Sequence, residues 1–487
     1  MTLPAQVIEF GDWLPDLAPL KNPGAITARN VVPKIDGNYC SLNDLASFSN
    51  ALGNVCLGAF WMQGSDNVIY NFAGDIDSLY RLDGSVTWTD VGQVYSAVTN
   101  WEFAKFGDRC IAVADGENPQ YYDVGVSASF ADLPGSPPVA ARIAVIRDFV
   151  MLGDLETAGP NFVQWSGFNS SELWTASRAT QSDSQQLFGR GGRVQRIVPG
   201  EYAVIFQEHS IHRADYVGPP VIFQFDEVER GRGTPAAGSV CWTGNLVFYL
   251  AHDGFYVFDG VRSTPIGANR VNRWFAANAD TSALDSMRGV VDRRNALVMW
   301  AFKSSSSLAQ NDRIIMYNWT ADKWAYAEVD TQCLAEYVTG GFTLDQLDTP
   351  LPNGIDTDSI NVDSDAFKGG ALSLMAFNSS NQAATFSGDP LPATIDTREL
   401  RGEHGKRLFA NGVRPLIDGV NASCSVSVGR RNEQAANVDF SPARAVDSRG
   451  LANIRYDARY HRYRVETTGG FDNAVGVEVH GKMRGTR

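Results

Sequence analysis

The chain has 487 residues, 44% apolar and 20% charged, and a formal net charge of −14 at pH 7. This length suits two or three domains with sizeable cores, and the composition is globular rather than disordered. No stretch reaches the about 18 to 20 apolar residues of a membrane-spanning helix, and residues 1–10 lack the basic start and long apolar run of a signal peptide, so a soluble, non-exported protein is expected.

In chain order, residues 1–45 come first, with Pro4, Pro15, Pro19, Pro23 and Pro33. Prolines at that density favour extended backbone, so an arm lying across another surface is expected. One phrase then recurs: an apolar strand, a polar turn, and a second strand ending on an aromatic residue beside Asp or Asn. Its copies cover 67–92, 109–133, 245–267 and 296–329, and the strand ends fall at Asp83, Asp123, Asp259 and Asn318. The nearest ends lie 40 and 59 residues apart, about the length of a four-stranded propeller blade. A hairpin with one apolar face must bury it on a neighbour, so repetition implies a stacked or radial β assembly.

Asp-Gly or Asn-Gly pairs at Asp36, Asp83, Asp115, Asp253, Asp259, Asn353, Asn411 and Asp418 are expected to be tight turns, where glycine accepts positive φ. A Pro-rich joint at 133–138 separates two strand groups. Helix signals are sparse. The best covers 269–280, with Val271, Trp274 and Phe275 on one face. After about residue 390 the pattern changes. Residues 395–487 carry about +5, leaving about −19 on the rest, and they alternate in strands such as 423–428, 460–465 and 475–479. Alternation of that kind gives one buried and one wet face, as in a sandwich. The expected fold is therefore all-β: an extended arm (1–45), a β-propeller (46–390) and a C-terminal β-sandwich-like domain (391–487).

Catalytic and metal-binding patterns are weak. Cys40, Cys56, Cys110, Cys241, Cys333 and Cys424 lie far apart with no CxxC pair, which suits reduced core thiols better than disulfides or zinc. His209 and His212 are three apart in a strand-like context, on opposite faces, which does not suit shared metal ligation. Neither of the glycine-arginine stretches 189–193 and 230–233 combines a preceding strand with a following helix as phosphate loops do, and both are expected to be mobile turns, with partner or DNA-backbone contact as the alternative. No catalytic residue, metal or cofactor is expected.

Two charged segments stand out. Asp345, Asp348, Asp356, Asp358, Asp363 and Asp365 fall within 21 residues. They lack the glycine and terminal glutamate of a calcium loop, so the competing expectations are a solvated loop or one facing a channel for DNA, where carboxylates repel phosphate. Arg455, Arg459, Arg462 and Arg464 are expected on one strand, either solvated or ion-paired, or contacting phosphates or a protein partner.

The opening residues 10–17 (FGDWLPDL), Asn22-Pro23-Gly24 and 28–33 (ARNVVP) resemble the start of the tail nozzle proteins of short-tailed bacteriophages, also called tail tubular protein B or the tail stabilisation protein. So do 202–218, 254–267 and 388–397 before an Arg-rich β region, so the resemblance spans most of the chain. It implies a non-enzymatic β-propeller subunit of the virion, assembled in the host cytoplasm. Such a subunit forms a homo-hexameric ring below the portal and adaptor, continues the DNA-ejection channel, and docks tail fibres, spikes or a needle. Double-stranded DNA would pass without sequence specificity. On that reading the six aspartates face the DNA channel and the four arginines meet the adaptor ring or a neighbouring subunit. Two rival readings remain from the residues: a carbohydrate-binding or glycan-cleaving propeller for host receptor recognition, and a kelch-type scaffold suggested by 317–324.

Overall fold

The computed structural model describes residues 6–84, 86–308, 310–338, 372–402 and 406–485. The protein is an all-β propeller joined to a C-terminal β-sandwich. Seven sets of four antiparallel strands form the blades, six as separate sheets and one as the end of an eleven-stranded sheet. Their innermost strands are, in order, Gly58–Gln63, Trp101–Phe106, Ala140–Ile146, Val194–Val198, Cys241–Thr243, Arg288–Asp292 and Cys333–Val338. The ring closes where Cys333–Val338 meets Gly58–Gln63. The seventh blade takes its outermost strand, Ala46–Ala51, from the other end of the propeller segment, with Gln382 opposite Ala51 and Ala384 opposite Ser47. Pairing the two ends of that segment in one sheet locks the ring, which opens only if a four-stranded ladder is broken.

Blade strands are buried more completely than period-two alternation alone predicts. In Phe149–Leu155 and Leu297–Phe302 every residue is buried, because a blade in mid-ring has a neighbour on both faces. Separate apolar clusters fill the gaps between blades. Phe72, Trp101, Tyr122 and Phe130 sit between the first and second, and Phe149, Trp165, Ile205 and Phe223 between the third and fourth. Each such side chain contributes about 1.5 to 3 kcal/mol by leaving water. The four phrases read from the sequence are the middle hairpins of the first, second, fifth and sixth blades. Gly116 (φ 80°) and Gly254 (φ 133°) supply the positive φ expected of the Asp-Gly turns. Asn411-Gly412 is not a turn. It lies inside the strand Leu408–Asp418, where the register slips between Ala410 and Gly412, so this Asn-Gly pair marks a β-bulge.

The sandwich is assembled from both ends of the described chain. The N-terminal segment does not merely lie across a surface, because its extended pieces become strands. Gln6–Glu9 pairs with Asn473–Met483, and Val31–Pro33 and Tyr39–Ser41 extend the same sheet. Thr27–Arg29 sits between two partners, antiparallel to Ala393–Asp396 and parallel to Lys323–Thr331, the outer strand of the sixth blade. Blade and sandwich thereby share one sheet. The second sandwich layer continues through Tyr460–Thr468 and Ser423–Arg431.

The arm is anchored by Trp13, which is 1% exposed. Its ring meets Trp274 at 4.7 Å and Tyr326 at 4.9 Å, and its indole N–H donates to the Ile26 carbonyl. The helix expected over 269–280 is shorter, Asn272–Asn278. Val271 at its start offers no capping side chain, and Asp16 from the arm caps it instead, accepting from the Arg273 and Trp274 backbone N–H groups at 2.8 Å each. Among the described residues no helix is long and apolar enough to cross a membrane.

Candidate functional site

The innermost strands of all seven blades surround an axial channel of about 530 Å³. Four cationic side chains line it, Lys105, Arg196, Arg288 and Arg293, against two carboxylates, Glu102 and Glu336. The channel is thus positive inside a strongly negative chain. Near the starts of the innermost strands, Glu102 is almost fully buried and meets guanidiniums from two other blades, Arg196 at 2.7 Å and Arg142 at 3.4 Å. Arg196 also lies over the Trp242 ring, 5.5 Å from its centre.

Arg288, from the sixth blade, donates through Nη1 to the backbone carbonyls of Asp285 (2.6 Å) and Met287 (2.9 Å). Among the described residues it has no carboxylate within ion-pair distance. Burial lowers its pKa, with Arg142 and Arg196 adding to the shift, yet a guanidinium keeps its charge at any ordinary pH. The buried thiols of Cys56 and Cys333 lie beside it. Burial pushes Cys56 up, whereas a hydrogen bond from Cys56 and the charge of Arg288 hold Cys333 down. Farther along, Glu336 accepts from the Trp61 indole at 3.4 Å and faces Arg293 at 3.7 Å.

Sequence reasoning missed this cluster because its members come from four blades and share no spacing. A signal does exist. Each is a charge set among apolar neighbours in a short strand, Glu102 in WEFAKF, Arg142 in AARIAVI, Arg196 in VQRIV and Arg288 in RGVVD, with Lys105 and Asp292 as second charges in two of them.

Of the residues singled out from sequence, Asp345, Asp348, Asp356, Asp358, Asp363 and Asp365 all lie outside the described residues. The four arginines do not share a strand. Arg455 is exposed on Ala452–Ala458 in one sandwich sheet, Arg459 is exposed at the corner, and Arg462 and Arg464 lie on Tyr460–Thr468 in the other sheet. The chain changes sheets at Arg459, which alternation alone does not reveal. Arg464 grips the almost fully buried Asp396 through two bonds of 2.7 and 2.9 Å. Arg462 and Arg464 both cover the Phe440 ring, at 4.7 and 4.1 Å, and burial lowers the pKa of Arg462. The Arg464 charge is thus engaged internally and Arg462 packs on the same ring, while Arg455 and Arg459 are exposed at the surface.

His212 is buried in the fourth blade, whereas His209 precedes that strand and stacks on His252 at 4.8 Å. Among the described residues no three His, Cys, Asp or Glu side chains gather as metal ligands. All six cysteines are free, and all but the half-buried Cys40 are buried. The two glycine-arginine stretches connect the third blade to the fourth and the fourth to the fifth. Arg193 reaches the buried Asp154 at 3.2 Å, and Arg232 pairs with Glu229 at 3.2 Å.

No family model and no curated protein matches the chain. Among solved structures, it is similar to the extracellular domain of the putative one component system BT4673 from B. thetaiotaomicron, with a TM-score of 0.42 and 8% identity. The match covers 80% of this chain and 45% of that one, so the chain spans less than half the length of that protein.

Proposed function

We propose that this chain is a structural virion subunit: one member of the hexameric tail nozzle of a short-tailed bacteriophage, which continues the DNA-ejection channel below the portal and adaptor. The observation that best supports the reading is the strand Thr27–Arg29, bonded on one side to the sixth blade and on the other to the sandwich. A shared sheet resists hinge motion between the two parts, and a rigid wedge-shaped body suits closed ring packing. The charge distribution supports it too. A negative blade region, about −19 outside residues 395–487, lets DNA slide past instead of holding it through counterion release. In this reading Arg455 and Arg459 face the adaptor ring or a neighbouring subunit, and fibres, spikes or a needle dock on the outer surface.

A glycan-binding or glycan-cleaving propeller calls for exposed aromatic residues beside a pair of free carboxylates. Trp88, Trp165, Trp300 and Trp324 are core residues, and Glu102 in the channel is engaged by two arginines, so these residues favour the structural reading. Electron microscopy of purified virions labelled with an antibody to this chain tests the proposal. Label confined to the tail below the head is the expected result, and virions without tail label contradict it.

A further inference from the structure

We propose that the axial channel of the propeller binds a small oxyanion of two or more negative charges, either inorganic phosphate or a phosphate monoester. Arg142, Arg196 and Arg288 enter from the third, fourth and sixth blades, and one carboxylate, Glu102 from the second, meets two of them. Asp154 offsets part of the Arg142 charge, and among the described residues the channel lining as a whole carries four cations against two carboxylates, an excess of two positive charges. Burying charge without a counter-ion is costly, so an anion that supplies the missing charge is stabilised there.

Hydrogen bonding points the same way. Nε of Arg142 and Nε of Arg196 are buried without an acceptor, so the cluster already has more donors than the protein satisfies. Arg288 is fixed by the carbonyls of Asp285 and Met287, and Arg196 by Glu102 and the Trp242 face, so neither must be ordered at the moment of binding. Both line the open channel, where their remaining N–H groups can reach a ligand. Guanidinium forks match the oxygen spacing of phosphate and bind it in bidentate fashion, which selects an oxyanion over chloride. The volume of about 530 Å³ holds phosphate with room for a small ester group against Ile143, Ile197 and Val290. This inference is independent of the nozzle proposal, since a subunit that fails to form a ring can still bind an anion, and the reverse.

Calorimetric titration of the full chain with inorganic phosphate, glycerol 3-phosphate and citrate in separate arms, at matched ionic strength in sodium chloride, tests it. The expected result is saturable binding at one site by a phosphate compound, with the ester arm deciding whether the free ion or a monoester is preferred. Arg288→Met and Arg196→Met should each weaken it by about tenfold or more, while the exposed Arg449→Met leaves it unchanged. Absence of saturable binding by either phosphate compound up to about 10 mM overturns the proposal, as does equal affinity in folded Arg288→Met and wild type. Binding of citrate alone overturns the ligand class. Should the arginine variants not fold, wild-type crystals soaked in selenate decide the matter. An anomalous peak beside Arg196 and Arg288 supports the site, and peaks only outside the channel refute it.

Discussion

The propeller and the sandwich are built from the same kind of strand but are encoded differently. Six of the seven blades are contiguous stretches whose strands pair with their sequence neighbours, and their apolar clusters lie between adjacent blades. The sandwich pairs Gln6 with Val479 and Thr27 with Asp396. Its core is also continuous with that of the fifth and sixth blades, since Trp13, Phe255, Trp300, Val413 and Val465 belong to one buried cluster. Locally coded modules tolerate local damage, whereas the long-range junction couples two bodies. Substitutions at the junction therefore reach farther than equally buried substitutions within a blade.

The largest effect should come from Trp13→Ala, at about 3 to 5 kcal/mol, because a fully buried ring is lost and the cavity lies at the junction. Urea unfolding should split into two transitions as the sandwich separates from the propeller. Phe72→Ala, equally buried but between the first two blades, should leave the sandwich transition in place. One merged transition in both variants breaks the comparison.

Next is Glu399→Ala in the sandwich, at about 3 kcal/mol. Glu399 and Arg431 are nearly buried and joined by bonds of 2.5 and 2.7 Å, so removing one partner strands a charge. The surface pair Arg449–Asp447 gives the contrast, and removing its exposed member in Arg449→Ala should not measurably change the same unfolding curve. Asp16→Ala should cost about 1 kcal/mol by uncapping the helix Asn272–Asn278, read as a lower urea midpoint at unchanged slope.

The smallest effect is a pH dependence of opposite sign at two buried groups, one in each body. In the third blade, burial raises the pKa of Asp154 to about 6 from an ordinary 3.8. A raised folded pKa contributes stability that is fully present below the unfolded value and lost as pH rises through about 6. Wild type should therefore gain on Asp154→Asn in melting temperature between neutral pH and about pH 5. In the sandwich, burial lowers the pKa of His461. Its contribution is present above the ordinary histidine value and lost as pH falls through the lowered one. Wild type should therefore lose on His461→Gln in melting temperature as pH falls below the ordinary histidine value.

How much of this was legible follows the same division. Four middle hairpins stood out because each pairs with itself within a short stretch and ends on an Asp or Asn turn. The third blade was obscured by a register slip at Gly153–Leu155, where Asp154 takes a positive φ of 58°. The fourth was obscured by two slips along Ser210–Gly218, and the seventh by its division between the two ends of the propeller segment. The sandwich strands were visible by alternation, but not their partners hundreds of residues away. Nor was the change of sheet at Arg459. The channel cluster left only scattered charges in mostly apolar strands, since their meeting depends on ring closure and no local spacing records it.

Assembly on the adaptor ring is the property that the nozzle reading requires of this chain. Mass measurement of the purified chain, alone and mixed with adaptor rings, tests it most directly. The predicted result is a free chain that becomes a hexamer only on the ring. A chain that stays monomeric with the ring present contradicts the account.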